Sequence, residues 1–277
     1  MSERLYPPAR PLSVGEVLDL SFRIYRQTFV KCLLFGAFAV VANWLPNLYS
    51  ILRGSTVVQS VVHPTPGVAQ LLVTVIGGVL ALIFPLAILY RQYRLITGQP
   101  PGGELLRALK LIGRLLLFSI MFALAVAGSA LCMLPALLAQ GPWRIVAATL
   151  LALPMLYVIV RLTCGYTAMV IENKSAAQSL ERCWQLTRGS VLRLSVIYTV
   201  AMFLLLALYV AGGAITGFLY GVLGKGDVAL IATAVAVVTV ALGALASPFY
   251  SGLGLAIFGD LAVRREGADL AQRISAT

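Results

Sequence analysis

Six stretches of this chain are apolar for long enough to cross a bilayer: roughly residues 30–51, 68–90, 115–138, 145–168, 194–217 and 228–258. A helix needs about 20 mostly apolar residues to span the hydrocarbon. The sixth run is long and holds Pro248, which predicts a kink or a separate half-helix. Three shorter segments follow a different, two-faced pattern. At about 100° per residue, Val14, Val17, Leu18, Ser21, Phe22, Ile24 and Tyr25 share one face. Glu16, Asp19, Arg23, Arg26 and Gln27 share the other, with Leu20 alone on the polar side. Residues 103–114 set Leu105, Ala108, Leu109 and Ile112 against Arg107, Lys110 and Arg114. Residues 175–189 set Ala176, Leu180, Cys183, Trp184 and Thr187 against Glu181, Arg182, Gln185 and Arg188. Ser13 with Glu16, and Ser175 with Gln178, stand at the spacing of a helix-opening capping box. The pattern predicts an all-α integral membrane protein with six transmembrane helices. Three cytoplasmic amphipathic helices would lie at the interface, each preceding an odd-numbered span.

The two-faced segments partly superpose. A shift of 88 positions aligns Glu16 with Glu104, Leu18 with Leu106, Ile24 with Ile112 and Arg26 with Arg114. A shift of 162 aligns Leu18 with Leu180, Asp19 with Glu181, Phe22 with Trp184 and Arg26 with Arg188. Even-numbered spans carry Pro85, Pro154 and Pro248 in their later parts. This points to a three-fold internal repeat, near 10–95, 96–170 and 171–263, inside one membrane domain covering 1–277.

Composition agrees with a bilayer as solvent: 60% of residues are apolar and 11% charged, against about 25% charged in soluble domains. The net charge of +11 is read from its distribution. All but Arg53, Arg144 and Lys225 of the 21 basic residues fall on one side of the six-span topology. The positive-inside rule makes that side the cytoplasm, with both termini there, in a bacterial inner membrane. The charge is therefore a topology signal, and nucleic acid is not expected as a partner. The first residues carry charges throughout and no cleavage site, so no signal peptide is expected. Cys32, Cys132, Cys164 and Cys183 form no C-x-x-C pair, and reduced, buried thiols are the expectation.

Candidate chemistry is sparse. His63 has no second histidine, so neither a His-based metal site nor a Ser–His–Asp triad can be assembled. The GKG at 224–226 lacks the spacing of a phosphate loop. All acids except Asp227 lie on the cytoplasmic side, and none sits near the middle of a span. Arg161 lies in an apolar stretch eleven residues before Glu172 and is costly in the membrane unless paired or snorkelling. Two roles stand open for it: a lipid-headgroup or anionic-ligand site, or an anchor or ion-pair partner for an acid such as Glu172 or Asp260. Asp260 could equally pair with a base of the interfacial helices. Arg23, Arg26, Arg182 and Arg188 join Arg161 as candidates to meet anionic lipid. Gly213, Gly217 and Gly221 on the fifth span, and Thr239, Gly243, Ser247 and Ser251 on the sixth, recur every four residues. Such spacing predicts close packing of these two spans, or of two copies of the chain.

Three stretches carry a family resemblance: RPLSVGEVLDLSFRIYRQTF (Arg10–Phe29), VIENKSAAQSLERCWQLTRGS (Val170–Ser190) and FGDLAVRREGADL (Phe258–Leu270). They resemble the membrane domain associated with bacterial glycerophosphoryl diester phosphodiesterases. Glu172, Leu186, Thr187, Arg188 and Gly189 match in the second, and Asp260, Arg264, Arg265, Glu266, Gly267, Asp269 and Leu270 in the third. The chain departs from the pattern at Phe258-Gly259, where aromatic residues often precede the acid. A looser likeness reaches six-span bacterial inner-membrane proteins of unknown function. Some relatives fuse this domain to a catalytic barrel. A barrel takes about 250 residues, so no phosphodiesterase is expected here, and the resemblance carries over no catalytic residue, metal or cofactor. The leading expectation for the chain is a non-enzymatic polytopic protein that scaffolds or regulates a membrane complex, with lipids, a protein partner or a second copy as partners. The alternative is a transporter or lipid-translocating protein. A polar cavity reaching mid-membrane would favour that alternative, and a dry bundle would count against it.

Overall fold

Ser13 opens the first helix through a reciprocal pair of bonds. Its hydroxyl accepts the Glu16 N–H at 3.3 Å while the Glu16 carboxylate accepts the Ser13 N–H at 2.6 Å. Two of the donors that a helix start leaves unpaired are thereby satisfied. The structure, a computed structural model, describes residues 6–8, 10–52, 67–131, 141, 143–223 and 228–275. Its helices are α1 (Val14–Leu52), α2 (Val68–Ile96), α3 (Glu104–Ala130) and α4 (Trp143–Leu162), followed by α5 (Gly165–Glu172), α6 (Ala176–Leu186), α7 (Val191–Leu223) and α8 (Val228–Ser275). Among the described residues no strand occurs. Six stretches are long and apolar enough to cross a membrane: Val14–Tyr49, Val68–Ile96, Glu104–Ala130, Thr149–Glu172, Val191–Phe218 and Val235–Gly267.

Of the three two-faced segments expected to form separate helices, one does so. The first two-faced segment runs without a break into α1, and the second into α3. Neither is followed by a breaker, so the helix propagates into the apolar run. Only α6 stands apart, because its flanks stop helices. Asn173 takes a left-handed conformation (φ 52°) after α5, and Gly189 another (φ 78°) after α6, positions that favour Asn and Gly. Ser175 and Gln178 then form the anticipated capping box. Helix α6 buries Ala176, Ser179, Cys183 and Leu186, whereas Trp184, placed on that face by periodicity, is 44% exposed. In α1 the buried line is Val17, Ser21, Ile24 and Thr28, flanked by Leu20 from the supposedly polar side. Pro248 does not divide the last span, which is one helix.

The chain forms two compact units of discontinuous segments. One comprises Met1–Ser21, Leu111–Val200 and Leu253–Thr277; the other comprises Phe22–Lys110 and Ala201–Gly252. In the first, Leu115, Met169, Leu186, Ile197, Leu253 and Leu261 make the core, and α5 is buried along most of its length. In the second, Gln92 is wholly buried and ties three helices. Its Nε2 donates to the Pro248 carbonyl at 2.8 Å and to Thr28 Oγ1 at 3.1 Å.

Proline and glycine lock the second unit. Proline lacks the N–H that would bond the carbonyl four residues earlier, here Ala42 for Pro46 and Ala244 for Pro248. Those are the two carbonyls that glycines approach from neighbouring helices. A Cβ on Gly36 would lie 2.8 Å from the Ala244 oxygen, and one on Gly77 would lie 2.8 Å from the Ala42 oxygen. Gly243 likewise leaves room for Val40, and Gly212 for Leu242. The substitutions Gly36→Val and Gly77→Val should therefore each cost about 1–3 kcal/mol by overpacking. Gly78→Val should be near neutral, since nothing lies within 4 Å of its Cβ position. Thermal unfolding of the detergent-solubilised variants checks this.

Candidate functional site

The first unit gathers most of the charged residues that the sequence singles out, and pairs them differently from expectation. Arg161, in the last turn of α4, is 5% exposed. It donates from Nε to Thr187 Oγ1 at 3.2 Å, from Nη1 to the Tyr157 hydroxyl at 2.9 Å and from Nη2 to the Trp184 carbonyl at 2.7 Å. Its guanidinium carbon sits 3.6 Å from the Trp184 ring centroid. No carboxylate belongs to this set, so neither Glu172 nor Asp260 is its partner. A desolvated guanidinium is instead stabilised by π faces and neutral acceptors.

Asp260 is 2% exposed on α8 and binds the start of the chain. One oxygen accepts the Leu12 N–H at 2.7 Å, and the other accepts Arg193 Nη1 at 2.6 Å. Arg264, one turn on, donates from Nε at 3.1 Å. Both arginines turn their Nη2 groups to the Leu12 carbonyl. The Phe258-Gly259 departure from the family pattern acquires a reason here. A Cβ on Gly259 would stand 2.7 Å from the Tyr6 ring, so glycine lets the N-terminal segment lie against α8. Glu172 pairs with Lys174 at 2.5 Å and with Arg182 at 3.2 Å, and Arg182 also reaches Glu266. Burial works against the Arg182 cation, but the Glu266 hydrogen bond and the two carboxylate charges outweigh it and raise its pKa. Arg23, Arg26 and Arg188 are exposed.

Cys164 and Cys183 correct the expectation of reduced thiols: a disulfide joins them, with Cα atoms 5.7 Å apart. Their separation of 19 residues matches no motif. The break between α4 and α5 turns Cys164 toward the buried face of α6, and that fold supplies the proximity. Cys32 is free and buried, while Cys132 and His63 lie outside the described residues, as do 224–226 and Asp227. Within one chain the glycine stripe does not make the contact with the sixth span. Gly213, Gly217 and Gly221 have nothing within 4 Å of a Cβ position, and the glycine that meets α8 is Gly212. A right-sized stripe therefore sits one residue away from the contact.

The second unit contains a groove that the sequence reading missed. Helices α1, α2, α7 and α8 enclose about 580 Å³. Asn43, Asn47, Tyr209, Tyr250, Ser247 and Ser251 supply its polar wall, and Ala39, Ala81, Pro85 and Leu205 part of its apolar one. The Ser247 hydroxyl is spent on the Gly243 carbonyl. Asn43, Asn47, Tyr209, Tyr250 and Ser251 hydrogen-bond no other described residue. The Thr239–Ser251 stripe, read as packing, thus lines an opening. At about 1.5 Å per residue it extends roughly 18 Å along α8.

Two outcomes are expected from these sites. Asp260→Asn leaves Arg193 and Arg264 facing a neutral group and should cost about 3–5 kcal/mol. Glu266→Gln, at an exposed pair, should cost under about 1 kcal/mol. Unfolding midpoints in detergent distinguish them. Maleimide labelling of unreduced, denatured protein should spare Cys164 and Cys183, and tag both after reduction, as read by peptide mass.

No curated protein and no solved structure matches the chain. The family model described as the membrane domain of glycerophosphoryl diester phosphodiesterase matches residues 133–272. That stretch carries Arg161, the disulfide, the Glu172–Arg182–Glu266 chain and the Asp260 cluster. With six membrane-spanning candidates and half its length in register, this polytopic membrane protein belongs to that membrane-domain family.

Proposed function

We propose that the chain is a non-enzymatic protein of the bacterial inner membrane, both termini cytoplasmic, that scaffolds or regulates a membrane complex through its contact with lipid. The observation that carries this reading is the contrast between engaged and unengaged arginines. Arg161, Arg182, Arg193 and Arg264 are bound to protein acceptors. Arg23, Arg26 and Arg188 are exposed, and their side chains bond no described residue. Free guanidinium groups beside apolar helices suit lipid phosphates, each contributing about 1 kcal/mol at an anionic surface. Glu104, Glu172, Asp260 and Glu266 all face Arg or Lys. Such pairing supports a structural rather than a catalytic role. A protein partner or a second copy completes the proposed complex, with no place for nucleic acid.

The triple variant Arg23→Gln, Arg26→Gln, Arg188→Gln should lower retention of phosphatidylglycerol by the purified protein roughly tenfold or more. Arg182→Gln should weaken the fold and leave retention little changed. Native mass spectrometry measures both, and undiminished retention by the triple variant would remove the reading. One observation favours a second role, lipid translocation: the groove places polar side chains deep in apolar helices. Proteoliposomes with a fluorescent phospholipid test it. Translocation predicts that a membrane-impermeant quencher bleaches both leaflets, and bleaching of the outer leaflet alone excludes it.

A further inference from the structure

The groove between α1, α2, α7 and α8 has a definite chemical character. Its polar groups are amides, phenols, aliphatic hydroxyls and an indole N–H, and among the described residues no Asp, Glu, Lys, Arg or His lines it. An anionic phosphate held there would have no counter-charge within a medium of low dielectric, which is costly. Neutral groups that both donate and accept suit neutral groups that do the same. Asn43 and Asn47 lie one turn apart on α1, as do Ser247 and Ser251 on α8, roughly 6 Å per step. That repeat suits a headgroup carrying several hydroxyls better than one carrying a single polar atom. Tyr209, Tyr250 and Trp44 add ring faces beside the amides, a combination that receives the C–H faces of polyols.

Depth and access bear on the occupant. Asn43 is about twelve residues, or roughly 18 Å of helix, beyond Lys31, and Ser251 is about nine residues, or roughly 14 Å, before Asp260. The polar wall thus reaches about the middle of a 30 Å hydrocarbon slab. Tyr209 is 48% and Tyr250 53% exposed, so the groove opens sideways as well as along the helices. Ser251, in contrast, is 7% exposed, lines the groove and bonds no other described residue. Polar side chains unmatched at this depth are rare and need a partner. A volume of about 580 Å³ lies within the range of about 300–1,000 Å³ typical of small-molecule sites.

We infer that this groove binds the uncharged, polyhydroxylated headgroup of a membrane lipid, with the acyl chains lying outward through the lateral opening. The ligand class is a neutral glycolipid, in which one sugar attached to diacylglycerol supplies the hydroxyls. With no cation among the described lining residues, an anionic phospholipid is the poorer fit. This site is separate from the arginines that carry the scaffold reading, and it shares only its cavity with the translocation reading. Retention without movement would leave the site standing and remove translocation.

The test uses the whole protein in phosphatidylcholine nanodiscs doped in turn with dioleoylglycerol, a monoglucosyl diacylglycerol and phosphatidylglycerol, read by native mass spectrometry. One glucosyl lipid per chain is expected to be retained, and dioleoylglycerol, with its single hydroxyl, several-fold less. The double variant Asn43→Leu, Asn47→Leu should reduce that retention at least tenfold. Because new leucines could disturb packing, Tyr209→Phe with Tyr250→Phe provides a shape-preserving version, expected to lose several-fold. Phosphatidylglycerol adducts should be unaffected by either pair and should fall with the arginine triple variant. The inference is overturned if the glucosyl lipid is not retained or is retained no better than dioleoylglycerol, if both variant pairs retain it as wild type does, or if phosphatidylglycerol is the lipid that the groove variants lose.

Discussion

The hydrocarbon of a bilayer offers no hydrogen bond, so a polar group that the sequence places inside it depends on the chain for a partner. Most of the architecture follows from that constraint. Arg161 is surrounded by a carbonyl, two hydroxyls and an indole face. Gln92 reaches a carbonyl on α8 and a threonine on α1. Asp260 sits between two arginines and a backbone N–H. Each solution crosses between elements, and each therefore fixes geometry that apolar packing alone would leave free to slide.

Proline and glycine act together under the same constraint. A proline within a span removes one backbone donor and exposes a carbonyl, which weakens that helix locally. At Pro46 and Pro248 the exposed carbonyl is where a glycine of the next helix comes closest. The helices meet backbone to backbone, without hydrophobic burial as the driving force, as membrane helix association requires. The groove is the exception: its amides and phenols have no hydrogen-bond partner among the described residues, and the constraint then becomes an argument for a ligand.

How far the sequence reveals this differs by type of signal. Capping boxes at Ser13 and Ser175 were legible because their residues are near neighbours and the bonds are local. The six spans were legible because apolar runs of that length have few alternatives. Partners of Arg161 were not, since a carbonyl and a ring leave no charge to search for. The disulfide was hidden by its spacing, and the contact role of Gly212 by three better-spaced glycines one position away. Asn43 and Asn47 escaped notice because neutral amides barely interrupt a hydrophobic run. Family membership was legible in RREGADL and LTRGS, where Arg264, Arg265, Glu266 and Thr187 do structural work that periodicity does not describe.

The bond between Leu12 and Asp260 closes a loop of 248 residues. During synthesis at about 5–20 residues per second, the N-terminal segment waits roughly 12–50 seconds before its acceptor leaves the ribosome. Until then Arg193 is inserted without its acid, and the first turn of α1 has no anchor. The clamp can therefore form only on a chain whose last span has been made and inserted in the correct direction. A prematurely terminated chain would carry an uncompensated arginine and an untethered amino terminus, because both depend on Asp260.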